Sequence, residues 1–235
     1  MIKALVLTGQ GINSHIETAE AFKRGGAEAV LMDIEDFLML DSLDNFHILA
    51  FPGGFSFGDE IRSGKLVAEK IKAHQLENIQ KFVEAKKPII GICNGFQILV
   101  QLGIFEKDER TITLAQNNHG RFLNLWVELN TDSTKSLWLK DLPSKLKMPM
   151  RHKEGRLVAK SGRTDFQTAF TYTTDVNGSF ELTAGITNNE GNVLGLMPHP
   201  EAGLTEDLFP EDGELSKFNQ MIFTNAVKYC ERMTL

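Results

Sequence analysis

Residues 86–99, KKPIIGICNGFQIL, carry the pattern that best indicates the fold class. Pro88 ends the helical pattern before it, and the short apolar run Ile89-Ile90-Gly91-Ile92 predicts a buried strand. A tight Gly-x-Cys-x-Gly turn follows, and a helical run from Phe96 to Leu99 comes after it. A buried strand that turns directly into a helix is typical of α/β proteins with a parallel sheet, whose sites form at the carboxyl ends of the strands.

The same alternation of strands and helices precedes this segment, whereas mostly strands are predicted after it. The predicted strands lie at 1–9, 29–32, 46–51, 89–92, 122–129, 166–172 and 192–196, and the predicted helices at 14–25, 66–73, 76–85, 96–99 and 215–232. The strands before about Thr111 are expected to be buried and mostly parallel, and the later ones to extend the same sheet in antiparallel fashion. No linker-like segment divides the chain, so we expect an α/β fold in a single domain over residues 1–235.

Composition excludes several classes of protein. Hydrophobic residues make up 42% and charged residues 24% of the chain, which is the balance of a folded globular protein. The net charge of −6, without a clustered basic run, makes nucleic acid an unexpected partner. No apolar run reaches the roughly 18 residues that a membrane span needs. Cys93 and Cys230 do not make a disulfide framework, so we expect the reducing cytoplasm as the compartment.

Gly91-Ile92-Cys93-Asn94-Gly95 fits the nucleophile elbow of α/β enzymes, with cysteine in place of serine. The glycines are needed because the sharp turn packs its flanks closely and would clash with a side chain. The amino terminus of the following helix favours a thiolate, which is the attacking species. The alternative is that Cys93 is one more buried apolar cysteine. The context favours a nucleophile, whereas Cys230 is interpreted as structural.

Met197-Pro198-His199-Pro200-Glu201 follows another predicted strand. In an extended segment, side chains two positions apart project to the same side, so Glu201 could orient the imidazole of His199. His199 could then accept the proton of a thiol and deliver it to a leaving amine, as acyl transfer requires. The alternative is that a histidine between two prolines only occupies a rigid turn.

Phe51 to Asp59, FPGGFSFGD, is the third loop of interest. Its glycines would let backbone N–H groups approach a substrate, and one of them, with the N–H of Asn94, would make a two-donor oxyanion hole. A plain loop is the alternative. Gly58 to Lys65 only superficially resembles a phosphate-binding loop, because the spacing is one residue too long and Leu66 stands where serine or threonine binds magnesium. The sequence therefore supports no nucleotide, cofactor or metal site.

Taken in their order along the chain, the Pro-Gly-Gly loop, the Gly-x-Cys-x-Gly elbow and the late His-Pro-Glu resemble the class I (triad) glutamine amidotransferases over essentially the whole chain. Within that class, the segments around Gly53, Cys93 and His199 are similar to the glutaminase subunit of phosphoribosylformylglycinamidine synthase, and Asn94-Gly95-Phe96-Gln97 is particularly similar. The resemblance implies a flavodoxin-like arrangement of the sheet, with helices on both faces. It also implies that the chain hydrolyses glutamine and that ammonia passes to a separate synthetase.

The resemblance also implies roles and partners. Cys93, His199 and Glu201 would form the catalytic triad, Gly54 and Asn94 the oxyanion hole, and Gly53 and Gln97 contacts to bound glutamine. ATP and magnesium are expected on the large synthetase subunit that converts formylglycinamide ribonucleotide to formylglycinamidine ribonucleotide in purine biosynthesis, and a small accessory subunit is a possible further partner.

Two departures and three alternatives stay open. Lys153 replaces a glycine of the family's His-Gly-Glu-Gly-Arg stretch, and Ala202-Gly203 follow Glu201 where arginine is common; both concern contacts to the synthetase more than hydrolysis. The chain could serve another amidotransferase pathway, or be a non-catalytic regulatory subunit, although Cys93, His199 and Glu201 are all present. It could also be a stress-response or peptidase-like protein, but there a histidine usually follows the cysteine, and here Asn94 does.

Overall fold

The computed structural model describes residues 1–9, 11–54, 65–106, 111–132, 135–160, 165–210 and 213–234. Six α-helices lie in this part of the chain: α1 (His15–Arg24), α2 (Ile34–Leu38), α3 (Lys65–His74), α4 (Leu76–Glu84), α5 (Asn94–Leu102) and α6 (Ser216–Met233). The strands are β1 (Lys3–Thr8), β2 (Glu28–Asp33), β3 (Ile48–Phe51), β4 (Ile89–Ile92), β5 (Ile112–Gln116), β6 (Leu123–Thr131), β7 (Lys145–His152), β8 (Glu154–Ala159), β9 (Phe166–Tyr172), β10 (Thr183–Asn188) and β11 (Val193–Leu196).

Nine of these strands form one sheet in the order β2-β1-β3-β4-β11-β10-β9-β6-β7. The first five strands in this order are parallel neighbours. The remaining four pair in antiparallel fashion and extend the sheet beyond β11. The α/β fold with a parallel sheet and an antiparallel extension is therefore confirmed.

The strand order places helices on both faces of the parallel part. The chain moves from β1 outward to β2, and then back past β1 to β3 and on to β4. Because such crossovers are right-handed, α1 lies on one face, and α2, α3 and α4 lie on the other. The reversal between β1 and β3 is a topological switch point, where the loops after two neighbouring strands diverge and leave a crevice. The loops that follow β1, β3 and β4 meet at this end of the sheet.

Several details differ from the sequence-based expectation, and strands β5, β7, β8 and β10 were not predicted at all. β2 was expected to be buried, but it lies at the end of the sheet, where Leu31 is 44% exposed. The short helix α2 was not predicted. β5 and β8 pair with each other in a separate two-stranded sheet instead of joining the large one. In the described part of the chain, no helix is both long and apolar enough to cross a membrane.

Candidate active site

The predicted elbow lies between β4 and α5, and its central residue adopts a strained backbone. Cys93 has φ of 51° and ψ of −105°, which is unusual for a residue with a side chain. Such a conformation costs on the order of 1–3 kcal/mol and persists only where the surroundings impose it. Here the N–H of Cys93 donates to the carbonyl of Leu196 at 2.8 Å, which fixes the turn to the end of β11.

Both glycines of the elbow are required by packing. A Cβ atom on Gly91 would lie 2.6 Å from Cδ1 of Leu99, and one on Gly95 would overlap the backbone carbonyl of Phe51. The lack of space at Gly95 shows that the first turn of α5 lies directly against the end of β3. The predicted clash at both positions is confirmed, and the close approach explains how Cys93 comes to lie beside the loop after β3.

His199 and Glu201 form the interaction that their spacing predicts. Nδ1 of His199 lies 2.7 Å from Oε1 of Glu201, and their side chains are only 4% and 0% exposed. The backbone N–H of His199 donates to the carbonyl of Pro149 at 2.7 Å, which fixes the turn against β7. Among the described residues, Nε2 of His199 has no hydrogen-bond partner of good geometry. The histidine therefore has one nitrogen held by a carboxylate and the other available on the side opposite Glu201.

Charge stabilises the protonated form of this histidine. Burial alone would lower the pKa of His199, but the negative charge of Glu201 and the interaction with Cys93 outweigh it, so the pKa is raised. An imidazolium is the partner that a thiolate needs. The arrangement can therefore hold the ion pair from which a cysteine attacks.

Strand β7 contributes a backbone carbonyl to the site. Neither this strand nor its contact with Cys93 was predicted from the sequence. The thiol of Cys93 donates to the carbonyl of Arg151, with a sulfur-to-oxygen distance of 3.7 Å. The next residue, His152, is 2% exposed, and neither of its ring nitrogens has a hydrogen-bond partner in the described part of the chain. Burial, with smaller effects from His199 and His119, lowers the pKa of His152 to about 3, so this imidazole is neutral.

The loop after β3 is held by the loop after β1. The carbonyl of Gly53 accepts the N–H groups of Asn13 and Ser14, both at 3.2 Å. Gly54 forms a bridge with Ile12, has φ of +156°, and has no room for a Cβ atom, which would overlap the carbonyl of Gly11. A Cβ atom on Gly53 would lie 2.7 Å from Cε1 of His199.

A pocket of about 230 Å³ connects these parts. Its lining residues are Asn13, Ser14, Glu17, Gly54, Cys93, Phe122, Arg151 and His199. Two members of the predicted triad and one predicted oxyanion donor thus share one cavity, and Glu201 lies behind His199. A larger cavity of about 550 Å³ lies elsewhere, around Glu84, Gly103 and Asn189, and has none of these groups. The chemistry therefore belongs to the smaller pocket.

The other predicted site residues are placed as follows. Asn94 is the first residue of α5, where backbone N–H groups have no partner four residues earlier in the helix. Its side chain donates to Oε1 of Gln97 at 3.0 Å, and Nε2 of Gln97 donates to the carbonyl of Glu154 at 2.6 Å. Gln97 therefore joins α5 to the start of β8 and does not line the pocket, so its contact with glutamine stays a prediction.

Residues 55–59 of the predicted glycine loop lie outside the described residues, as does most of the excluded phosphate-loop pattern at 58–65. The sequence reasoning also missed Asn13, Ser14, Glu17, Phe122 and Arg151 as pocket residues, since Ser14 was considered only as the start of a helix. Asn13 and Glu17 could have been predicted from their place in the chain. They follow the predicted strand β1, just as Gly54 follows β3, and sites form at the ends of such strands. Nothing comparable marks Phe122 or Arg151.

Comparison with known proteins agrees with this geometry. Residues 1–230 match the CobB/CobQ-like glutamine amidotransferase domain. The phosphoribosylformylglycinamidine synthase subunit PurQ of Dehalococcoides mccartyi is 34% identical over 252 residues, covering 99% of each chain. The PurQ subunit of Thermotoga maritima is 34% identical over 232 residues, covering 98% of this chain and 99% of its own.

Solved structures give the same result. A structure of PurLQS from Thermotoga maritima matches with a TM-score of 0.80 and 34% identity, covering 97% of this chain and 98% of that one. A glutamine amidotransferase from the same organism has a TM-score of 0.63 at 14% identity, which shows the fold alone. The chain therefore belongs to the CobB/CobQ-like glutamine amidotransferase family, in the branch formed by the PurQ subunits of phosphoribosylformylglycinamidine synthase.

Proposed function

We propose that this chain is the glutaminase subunit of phosphoribosylformylglycinamidine synthase, with Cys93 as its nucleophile. The observation that carries the proposal is the meeting of a strained Cys93, a His199 held by Glu201, and Gly54 around one pocket. Membership of the PurQ branch supports purine biosynthesis as the pathway in which the chain acts. The PurLQS structure supports a synthetase as partner.

In the first half of the proposed reaction, glutamine is cleaved. The Cys93 thiolate forms a carbon–sulfur bond to the side-chain amide carbon, and the carbonyl electrons move to oxygen. The N–H groups of Gly54 and Asn94 stabilise this oxyanion. The imidazolium of His199 then gives its proton to the nitrogen, the carbon–nitrogen bond breaks, and ammonia leaves. A thioester on Cys93 remains.

In the second half, water releases glutamate. Neutral His199 removes a proton from water, whose oxygen attacks the thioester carbon and forms a second oxyanion in the same hole. Collapse of this intermediate breaks the carbon–sulfur bond and restores the thiolate beside the imidazolium. Glu201 stabilises the positive charge on His199 in both halves, which is the role of the carboxylate in serine and cysteine triads.

We also propose how the work is divided between the subunits. This chain would carry no cofactor or metal, and ATP and magnesium would bind to the large synthetase subunit, with a small accessory subunit as a further component. Among the described residues, no group of His, Cys, Asp and Glu side chains is suited to a metal ion. We further propose that residues 1–235 fold as one domain, because strands from both halves share the nine-stranded sheet, and that the protein acts in the cytoplasm, in keeping with two free cysteines.

Labelling with an electrophilic glutamine analogue tests the nucleophile. We expect mass spectrometry to find the label on Cys93 and not on Cys230, because burial raises the pKa of the Cys230 thiol to about 12 and keeps it protonated. Cys93→Ala should abolish glutamine hydrolysis, while the variant in complex with the synthetase still makes product from added ammonia. Cys230→Ala is the matched control and should behave as the unmodified chain. Labelling of Cys230, or hydrolysis by Cys93→Ala, would contradict the proposal.

A further inference from the structure

The outer edge of β7 contacts both His199 and Cys93. β7 ends the nine-stranded sheet and pairs with β6 on one side only, so its other edge faces the site. On that edge the carbonyl of Pro149 accepts the backbone N–H of His199 at 2.7 Å, and the carbonyl of Arg151 accepts the thiol of Cys93. Alternate residues of an antiparallel strand turn their carbonyls to the same edge, so the two contact points lie roughly 7 Å apart on one strand. The edge of β7 therefore sets the base in register with the nucleophile.

A third carbonyl on the same edge is held by a buried amide of α6. Lys147 lies two positions before the carbonyl that holds the base, and its own carbonyl accepts a hydrogen bond from Nδ2 of Asn219 at 3.1 Å. The same nitrogen donates to the carbonyl of Gly203, also at 3.1 Å. Gly203 ends the short helical turn Pro200–Gly203, which contains Glu201. Asn219 thus joins the edge of β7 to the turn that carries Glu201.

The packing at Gly203 is what allows this contact. Asn219 is fully buried, and a Cβ atom on Gly203 would lie 2.5 Å from its Nδ2. The same Cβ atom would lie 3.3 Å from the ring of Trp126 and 3.4 Å from that of Pro149. Only a residue without a side chain therefore lets the amide reach the backbone of the turn.

The chemistry of the amide fits a role in positioning better than a role in packing. A carboxamide nitrogen has two N–H donors, and here both face backbone carbonyls. Oδ1 of Asn219 has no partner among the described residues, and burying an unpaired polar atom costs free energy. The other residues that α6 buries are mostly apolar, and an apolar side chain of similar volume would fill this place without that cost. The two hydrogen bonds are therefore the reason for an amide at this position.

We propose that Asn219 is a positioning residue of the glutaminase site, an assignment that rests on the proposed function. By tying the turn that carries Glu201 to β7, the amide keeps the imidazole of His199 beside the sulfur of Cys93. Without these hydrogen bonds the turn can move relative to β7, whereas the elbow stays fixed to β11 through the N–H of Cys93. Because Asn219 does not line the pocket, its loss affects the alignment of base and nucleophile and not the binding of glutamine.

Steady-state kinetics with the full chain and saturating synthetase measures this alignment. Asn219→Leu keeps a similar volume but removes both donors, and we expect it to lower kcat by roughly 10- to 100-fold, since a displacement near 1 Å can cost about that much. Asn219→Asp keeps the shape of the side chain but can donate at most one hydrogen bond, and it should also lower kcat. Calorimetry in a Cys93→Ala background should show unchanged affinity for glutamine in both variants.

Asn225→Leu is the matched control. Asn225 lies six residues later in α6, and its Nδ2 also donates to two backbone carbonyls, those of Trp138 and Lys140, at 3.1 and 2.7 Å. Neither of these residues lines the pocket. Thermal unfolding should show a loss of stability in Asn225→Leu as in Asn219→Leu, but kcat should be unchanged in the control. Equal losses of kcat in the two variants would overturn the proposal, because α6 would then act only through stability.

Alkylation of Cys93 by iodoacetamide reports the alignment without any glutamine. An imidazole beside the sulfur takes the thiol proton and leaves the reactive thiolate. Asn219→Leu should therefore slow alkylation at neutral pH and move its pH profile to the alkaline side, which a loss of stability alone would not do. Asn225→Leu should keep the profile of the unmodified chain, and mass spectrometry confirms that the label is on Cys93.

The same measurements separate this inference from the proposed function. Asn219-dependent alkylation in a chain whose unmodified form does not hydrolyse glutamine would keep the positioning role and remove the glutaminase proposal. Hydrolysis by the unmodified chain, with kcat and the alkylation profile unchanged in Asn219→Leu, would remove this inference alone.

Discussion

His199 and Glu201 are expected to act as one unit, because the carboxylate lies 2.7 Å from Nδ1 and has its effect through the imidazole. His199→Ala and Glu201→Ala should each reduce kcat strongly, and the double variant should be little worse than His199→Ala. Steady-state kinetics on the three variants measures this coupling. Effects that multiply independently would show that Glu201 does not act through His199.

His152 should make the folded state sensitive to acid. Its pKa is lowered to about 3 by burial, so between pH 6.5 and 3 the unfolded chain binds a proton that the folded chain excludes. The free energy of unfolding should therefore fall by up to about 1.4 kcal/mol per pH unit below pH 6.5 through this group. His199 has a raised pKa, so its stabilising contribution is complete below pH 6.5 and is lost only as pH rises through that raised value.

Denaturant titrations between pH 6.5 and 5 check this expectation. His152→Gln should reduce the slope of unfolding free energy against pH, whatever its effect on absolute stability. His74→Gln removes an exposed histidine that has no part in the lowered pKa of His152, and it should leave the slope unchanged. An equal slope in His152→Gln would mean that His152 is protonated in the folded protein.

At the residue scale, the sequence allowed prediction of the groups with a recognisable chemical pattern. Cys93 stood between two glycines, and His199 stood two positions before a carboxylate, so spacing alone predicted the elbow and the His199–Glu201 contact. Arg151 acts through its backbone carbonyl, which every residue type possesses, so no sequence pattern could have shown that contact. The engagement of Gln97 with Asn94 and Glu154 depends on β8, whose position the sequence did not reveal.

Among the connecting elements, the loop after β3 depends most on the absence of a side chain. A Cβ atom on Gly54 would overlap the carbonyl of Gly11 and lie 2.7 Å from Cα of Ile12. Gly54→Ala should therefore displace the predicted oxyanion donor and lower kcat by about 100-fold, the usual cost of losing one such donor. Glutaminase kinetics and thermal unfolding measure the two consequences.

Gly120→Ala is the matched control for that variant. Gly120 has φ of +67°, but a Cβ atom there would meet nothing within 4 Å. We expect a cost in stability from the strained backbone and unchanged glutaminase activity. If Gly54→Ala also retained full activity, the donor would have to come from another residue.

At the element scale, boundaries set by local chemistry were predictable and those set by neighbours were not. α1 begins after Ser14 and ends before Gly25, as the sequence predicts, although the Ser14 side chain makes no capping hydrogen bond. α2 is only five residues long, and its one local signal is Asp33, whose side chain accepts the N–H of Glu35. The apolar residues of β2 follow one another without alternation, which is typical of a buried strand. Only the strand order shows that β2 lies at the exposed end of the sheet.

At the scale of the whole molecule, we expect the isolated chain to be a weak glutaminase. A free enzyme would waste glutamine, and the glycine loop that would supply the proposed Gly54 donor can change its backbone at low cost. A phosphoribosylformylglycinamidine synthetase charged with nucleotide and substrate should raise glutamate release on the order of tenfold or more. Measurements at fixed glutamine, with and without that synthetase, decide this. Maximal activity of the chain alone, or stimulation only by a synthetase of another pathway, would contradict the purine assignment.

The position of β11 in the sheet also determines when the site can exist during synthesis. Among the described strands β11 is the last along the chain, yet it lies between β4 and β10 and leads directly to His199. Cys93 leaves the ribosome about a hundred residues earlier, which at roughly 5–20 residues per second is a delay on the order of 5–20 seconds. A nascent chain, or one truncated before β11, therefore has a cysteine but no base beside it. The order of the strands therefore keeps Cys93 and His199 from meeting until β11 has been synthesised and has entered the sheet.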